Sequence, residues 1–274
     1  MKTRIISGAV MVALMIGVLL IWSVFTPASV IFVAILAAFA AYEALYKTGY
    51  NKNISAVLLA AVYSAFMPFV YCGYVNIPSA AVTVIFVVLM IAVCLKNHSQ
   101  ISAPVCGFSL ALPIGMAYAF SSIAALLNSF DSNGLLYLLL LLNFSSIADC
   151  GAYFVGSAIG KHKLAPVLSP KKTVEGSVGG IICSVVFTFA IILIYNKVGG
   201  SVYGVNVWPF VAVTPVFAVL GMMGDIFFSY IKRQCGIKDY SNLIPGHGGI
   251  LDRFDSILMI APVFVIFLQI LLRF

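Results

Sequence analysis

Charge is almost missing from this sequence. Of its 274 residues only 8% are Asp, Glu, Lys or Arg, where a soluble domain carries about 25%. Hydrophobic residues make up 63%, and no water-soluble fold could hide that much apolar surface. Paired cysteines are missing too: Cys72, Cys94, Cys106, Cys150, Cys183 and Cys235 are scattered, which excludes a disulfide framework or a zinc site read from spacing. There is no internal repeat, which weakens an inverted-repeat transporter. Gly156 to Lys161 is no Walker A motif, because its glycine spacing is too short and His162 stands where Ser or Thr belongs.

What is present is a series of long apolar runs. A spanning helix needs roughly 20 mainly apolar residues. About nine such runs recur, at Ile5–Phe25, Ala28–Tyr46, Ile54–Tyr74, Ser79–Leu95, Pro104–Leu127, Leu135–Ile159, Gly176–Tyr195, Val207–Ile231 and Phe254–Leu272. They are too long and too solidly apolar for the alternating strands of a membrane barrel. The pattern predicts an all-α, polytopic integral membrane protein. Lys2 and Arg4 before the first run resemble the start of a signal peptide, but the run is near twenty residues, against about 7–15 for a signal core, and lacks a small-residue cleavage site. A retained first helix is the expectation.

The formal charge of +7 is explained by where the basic residues fall. Lys2, Arg4, Lys47, Lys52, Lys96, Lys161, Lys163, Lys171, Lys172, Lys232, Arg233, Lys238 and Arg253 lie in alternate connections, and only Lys197 and Arg273 on the other side. Thirteen against two predicts a cytoplasmic N-terminus under the positive-inside rule, and no nucleic-acid partner is needed. Residues 1–130 read as scaffold helices. Residues 131–274 read as a catalytic membrane region with two cytoplasmic loops, 160–176 and 232–253, which hold eight of the fifteen basic residues. Glycines four apart at Gly156/Gly160 and Gly176/Gly180 predict close helix packing beside the first loop.

Acids number only eight, and an acid inside a span is costly enough to be a functional candidate. Asp149 and Asp225 are the clear cases. Glu43 reads as an interfacial or pairing residue and Asp131 as an exposed loop residue. Asp225, Ser229 at i+4, and Lys232 and Arg233 at i+7 and i+8 share one helical face; a polar stripe snorkelling to the interface would look the same. Asp252 and Asp255 stand three apart at a helix start, where capping by the dipole is the plain explanation. Three carboxylates, Asp225, Asp252 and Asp255, beside cations would instead suit Mg²⁺.

Between those helices, Pro245, Gly246, His247, Gly248 and Gly249 could wrap an anion with backbone N–H groups. Lys232, Arg233, Lys238 and Arg253 flank this stretch, making it a candidate triphosphate cradle. In the other loop Ser169 reads as an N-cap and Pro170 as the first helical residue. Lys171 and Lys172 would then oppose the helix dipole until an anion binds, although positive-inside anchoring supplies lysines equally well.

The string SYIKRQCGIKDYSNLIPGHGGILDRFDS, Ser229 to Ser256, closely resembles the signature of phosphatidate cytidylyltransferases, the CDP-diacylglycerol synthases. A second stretch, DCGAYFVGSAIGKHKLAPVLSPKKTVEG, Asp149 to Gly176, is similar to the same family, and Gly224-Asp225 fits its Gly-Asp element. The likeness covers the C-terminal half; the first half matches in hydropathy alone. It implies transfer of the cytidylyl group of CTP to phosphatidate, with Mg²⁺ required, a polytopic fold in the inner (plasma) membrane and a homodimer. It also allows a second ion, K⁺.

Under that resemblance Asp225, Asp252 and Asp255 would hold metal. Lys171, Lys172, Lys232, Arg233, His247 and Arg253 would hold phosphates, helped by Ser229, Lys238, Gly248 and Gly249. Asp149 would orient a cation or line the lipid cleft. A CDP-alcohol phosphatidyltransferase is disfavoured because its Asp-Gly-x-x-Ala-Arg pattern is absent. Another lipid phosphate acceptor stays open. A transporter would place its charges near the bilayer midplane, whereas these crowd the helix ends.

Overall fold

The computed structural model describes residues 2–130, 133–166, 168–199 and 204–272. Asp131, read above as a loop residue, and Arg273, read above as lying on the side poor in basic residues, lie outside them, as do the side chains of Lys2 and Arg4. The helices are α1 (Lys2–Trp22), α2 (Pro27–Tyr42), α3 (Ile54–Tyr71), α4 (Ser79–Lys96), α5 (Ala103–Asn128), α6 (Gly134–Leu142), α7 (Ala148–Ile159), α8 (Val174–Val198), α9 (Val207–Gln234) and α10 (Leu251–Leu271). Glu43–Lys47 continues α2 as a π-helical turn, and Asn143–Ile147 joins α6 to α7 in the same way. Among the described residues eight helical segments are long and apolar enough to cross a membrane, and Ile6–Trp22 adds a shorter apolar helix. The all-α polytopic architecture is therefore present.

Local chemistry sets these boundaries. Pro27 occupies the first turn of α2, where a missing N–H costs nothing. Asn53 caps α3 by accepting from Ala56 N at 3.2 Å. Large apolar side chains point outward all along the spans, as Val84, Ile85, Val88 and Leu89 do on α4. That outward face requires lipid as its solvent.

The chain forms two compact units: Met1–Asn128 with Gln234–Phe254, and Ser129–Arg233 with Asp255–Phe274. In the first, α2, α3, α4 and α5 pack side by side around a core that includes Ala60, Tyr63, Met67, Phe86 and Met90. The Tyr63 and Phe86 rings stack there at 4.1 Å.

In the second unit the closest partnership is α7 with α8. Glycine permits it: a Cβ on Gly180 would collide with the Ala148 carbonyl oxygen and meet Ala152 Cβ at 3.0 Å, and one on Gly151 would meet Cys183 Cβ at 2.7 Å. The close packing expected from glycine spacing is thus found at Gly180, and also at Gly156 and Gly176, where a Cβ on Gly176 would meet Gly156 Cα at 3.1 Å; Gly151 lies outside that spacing. Gly180→Val should destabilise the protein by about 1–3 kcal/mol through overpacking, read as a lower melting temperature in detergent; an unchanged melting temperature would contradict the packing argument. The π turn is lodged by buried polar contacts. Asn143 Nδ2 donates to Ser184 O at 3.0 Å and to Thr188 Oγ1 at 2.8 Å, and Thr188 meets Thr214 at 3.0 Å.

Residues 160–176 are more ordered than a loop. Lys163–Ala165 (β1) and Ser169–Thr173 (β2) form an antiparallel hairpin, pairing Lys163 with Thr173 and Ala165 with Ser169. This corrects the capping expectation: Ser169 and Pro170 lie in a strand, and Thr173 is the N-cap of α8, accepting from Gly176 N at 3.1 Å. Lys171 and Lys172 therefore oppose no helix dipole. The first-turn residue of α8 is Glu175, whose carboxylate is favoured there.

Candidate active site

The second unit carries a cleft of about 230 Å³ lined by Asp149, Tyr153, Ser169, Lys171, Lys172, Thr173, Ser177, Met222 and Asp225, with Ala152. Three elements supply its charged groups. Asp149 comes from the first turn of α7, directly after the π turn. Lys171 and Lys172 come from β2, and both line the cleft. Lys171 is exposed and Lys172 half-buried. Asp225 comes from α9, with Ser229 Oγ 3.4 Å from its Oδ1.

The hairpin is held at its α8 end. Glu175 accepts from Lys161 N at 3.1 Å and from His162 N at 3.2 Å, and lies 2.6 Å from His162 Nδ1. With Thr173 capping α8, this fixes the backbone from which Lys172 extends. Lys172 Nζ lies 2.5 Å from Asp225 Oδ2 and 3.9 Å from Asp149 Oδ1. The nearer contact is an ion pair without hydrogen-bond alignment. The three side chains are 20%, 25% and 44% exposed for Lys172, Asp225 and Asp149, so the pairing is partly desolvated. Asp255 of α10 interacts electrostatically with Asp225, Lys232 and Asp149. Lys232 itself is buried.

In the first unit the glycine segment is organised by two carboxylates. Glu43, 2% exposed, accepts from Ser241 Oγ at 2.6 Å, Ile250 N at 3.1 Å and Leu251 N at 2.9 Å. Asp252 Oδ2 accepts from Tyr240 N at 2.8 Å and Gly249 N at 2.9 Å. A Cβ on Gly249 would stand 2.5 Å from Glu43 Oε2, and one on Gly248, whose φ is +83°, would stand 2.8 Å from Asp252 Oδ2. The glycines therefore make room for the protein's own acids. This corrects the cradle expectation at Gly249, whose N–H is already taken by Asp252. His247 Nδ1 meets Ser7 Oγ of α1 at 2.7 Å, and that hydroxyl donates to Pro245 O at 2.9 Å. Lys238 and Arg253 are exposed.

The candidate residues thus divide. Asp149, Lys171, Lys172, Asp225, Ser229, Lys232, Arg233 and Asp255 belong to the second unit, and Lys238, His247, Gly248, Gly249, Asp252 and Arg253 to the first. Glu43 was read only as an interfacial or pairing residue. Its clasp on residues about two hundred positions later has no sequence spacing to reveal it, and an acid within an apolar run was the one available signal.

Whether the cleft fits a divalent cation can be judged from its donors. Among the described residues no three His, Cys, Asp or Glu side chains are placed to hold an ion by themselves. Asp149 and Asp225, however, already face one positive charge, the Lys172 ammonium. Two carboxylates, completed by water and phosphate oxygen, is the manner in which Mg²⁺ is commonly held. The donor set fits.

The fold defines a polytopic helical membrane protein, and its cleft brings two carboxylates and two lysines together. The family follows from comparison: the model of the cytidylyltransferase family matches residues 2–271, and the chain belongs to that family. Among curated proteins it is similar to the phosphatidate cytidylyltransferases of Staphylococcus haemolyticus (strain JCSC1435), 37% identical over 185 residues, and Staphylococcus aureus (strain COL), 38% identical over 185 residues. That of Staphylococcus epidermidis (strain ATCC 35984) is also 38% identical over 185 residues. Each alignment covers 67% of this chain and 66% of the relative, just under two-thirds of the relative's length.

Proposed function

We propose that the chain transfers the cytidylyl group of CTP to phosphatidate, giving CDP-diacylglycerol and pyrophosphate. The observation that carries the reading is the cleft in which Asp149 and Asp225 converge on a lysine, with Lys171 and Ser169 on the same walls. Family membership and the names of the relatives support it.

In this reaction a phosphatidate oxygen forms a bond to the α-phosphorus of CTP. The bond from that phosphorus to the bridging oxygen breaks, and pyrophosphate leaves with the electron pair. A phosphate monoester, with its second pKa near ~6, is already ionised at neutral pH, so no side chain has to remove a proton. The protein's work is positioning and charge neutralisation. Lys171 and Lys172 would hold substrate phosphates from the hairpin, whose backbone Thr173 and Glu175 keep in place. Asp225 and Asp149 would hold Mg²⁺. Bound there, the ion would neutralise charge on the triphosphate. Exposed Tyr153 at the cleft wall, next to Phe154 on α7, offers an apolar margin for the acyl part of a lipid.

The orientation we propose has the N-terminus and the lysine hairpin on the cytoplasmic side, where CTP is available; the lopsided placement of basic residues supports it. Purified protein supplied with CTP, Mg²⁺ and phosphatidate should form CDP-diacylglycerol, detected by mass spectrometry, and should form none when diacylglycerol replaces phosphatidate. Consumption of CTP with diacylglycerol but not with phosphatidate would overturn the reading.

A further inference from the structure

Lys172 is placed unusually for a residue that only binds substrate phosphate. Its ammonium lies against a carboxylate from α9 and within 3.9 Å of one from α7, while its backbone belongs to a third element, the hairpin. The ammonium thus occupies the charge position between Asp225 and Asp149, the two acids to which a metal ion is assigned above. A lysine carries its charge on a flexible four-carbon stem with three donors, so the head can swing while the strand stays still. The same cleft gives it somewhere to go, since Lys171, Ser169 and Ser177 line the wall beside it.

We propose that Lys172 is an exchangeable counter-cation: without a divalent ion its ammonium neutralises Asp225 and Asp149, and when the ion enters it moves to the phosphates that arrive with it. The inference rests on the reading of the cleft as a metal and nucleotide site. With Asp149 in electrostatic reach of Asp225, and Asp255 in reach of both, an empty site lacking Lys172 would gather like charges in a half-buried cleft, which is unfavourable. An ammonium left between the carboxylates after a divalent ion had bound would be repelled by it. Incoming phosphate oxygens provide the new acceptors. Lys172 then disfavours metal bound without nucleotide and favours the two together, so that loading is ordered toward the productive complex.

The test measures binding of Mn²⁺ alone, as a substitute for Mg²⁺, to the full detergent-solubilised protein, following the free-ion signal by electron paramagnetic resonance. Lys172→Met should bind Mn²⁺ without nucleotide about tenfold more tightly than the parent, and should bind CTP in the presence of Mn²⁺ about tenfold more weakly. Lys172→Arg, which keeps the charge, should leave the Mn²⁺ affinity near the parent value. Unchanged or weaker Mn²⁺ binding by Lys172→Met would overturn the exchange. A second readout needs no variant: acetylation of Lys172 in the parent protein, quantified by mass spectrometry, should rise on adding Mn²⁺ and fall again on adding CTP. A rate indifferent to Mn²⁺ would also overturn it. If the Mn²⁺ results appear as expected while no CDP-lipid forms, the proposed activity fails and the exchange stands; product formation with indifferent Mn²⁺ binding reverses that outcome.

Discussion

Asp225→Asn should lower the rate of CDP-lipid formation by about a hundredfold to a thousandfold, the scale on which a single group stabilising transition-state charge acts. The substitution keeps the size and shape of the side chain and leaves an oxygen for Ser229, whose hydroxyl lies 3.4 Å from Oδ1. What it removes is the negative charge. The Lys172 ammonium loses its partner at 2.5 Å, and the cleft loses one of the two carboxylates assigned to the divalent ion. Because Asp225 is half-buried on a long helix, the fold should survive. The expected result is therefore a protein with a near-normal melting temperature and little activity. An Asp225→Asn protein retaining more than about a third of the parent rate would remove Asp225 from the chemistry, since that difference is worth under 1 kcal/mol.

Glu43→Ala should act on stability first. Its carboxylate accepts from one hydroxyl and two backbone N–H groups at the start of α10, and the site is buried. Donors left unsatisfied in such a place cost about 1–3 kcal/mol each before water enters. A loss of about 3 kcal/mol or more is expected, which for a chain of this size corresponds to a melting temperature lower by roughly 6–12 °C. Glu43→Gln keeps one acceptor oxygen but introduces donors facing the backbone N–H groups, and should fall between the two. A melting temperature of Glu43→Ala within about 2 °C of the parent would mean that the clasp contributes nothing.

Much of this architecture is legible in the sequence because the bilayer is a demanding solvent. Apolar runs such as Ser79–Leu95 can only be spans, and the observed α4, Ser79–Lys96, differs by one residue at its end. Run boundaries were less visible where polar chemistry intervenes. Leu135–Ile159 reads as one helix, yet Asn143 opens a π turn by bonding to α8, a tertiary event with no local signature. The SPKKT segment has the residues of a helix start, and it is a strand because Lys163–Ala165 pairs with it.

The site was legible in its residue types and less so in its wiring. Scarcity of acids singles out Asp149 and Asp225, and both line the cleft. Spacing does not reveal which donors are already satisfied. The glycines before α10 suggest a cradle for an external anion, whereas Glu43 and Asp252 fill that role from within the chain. Nor does spacing reveal that Lys172 faces two acids, because the three residues lie in separate helices and a hairpin.

The central claim, that the α-phosphorus of CTP is passed to phosphatidate, is tested most directly by the fate of label. Purified protein, Mg²⁺ and phosphatidate are incubated with CTP carrying radioactive phosphorus at the α position, and in parallel at the γ position. The account predicts that α label enters the chloroform-soluble lipid while γ label remains in water as pyrophosphate, in equal amounts. Label from the γ position in lipid, or no lipid-borne label from either, would contradict it.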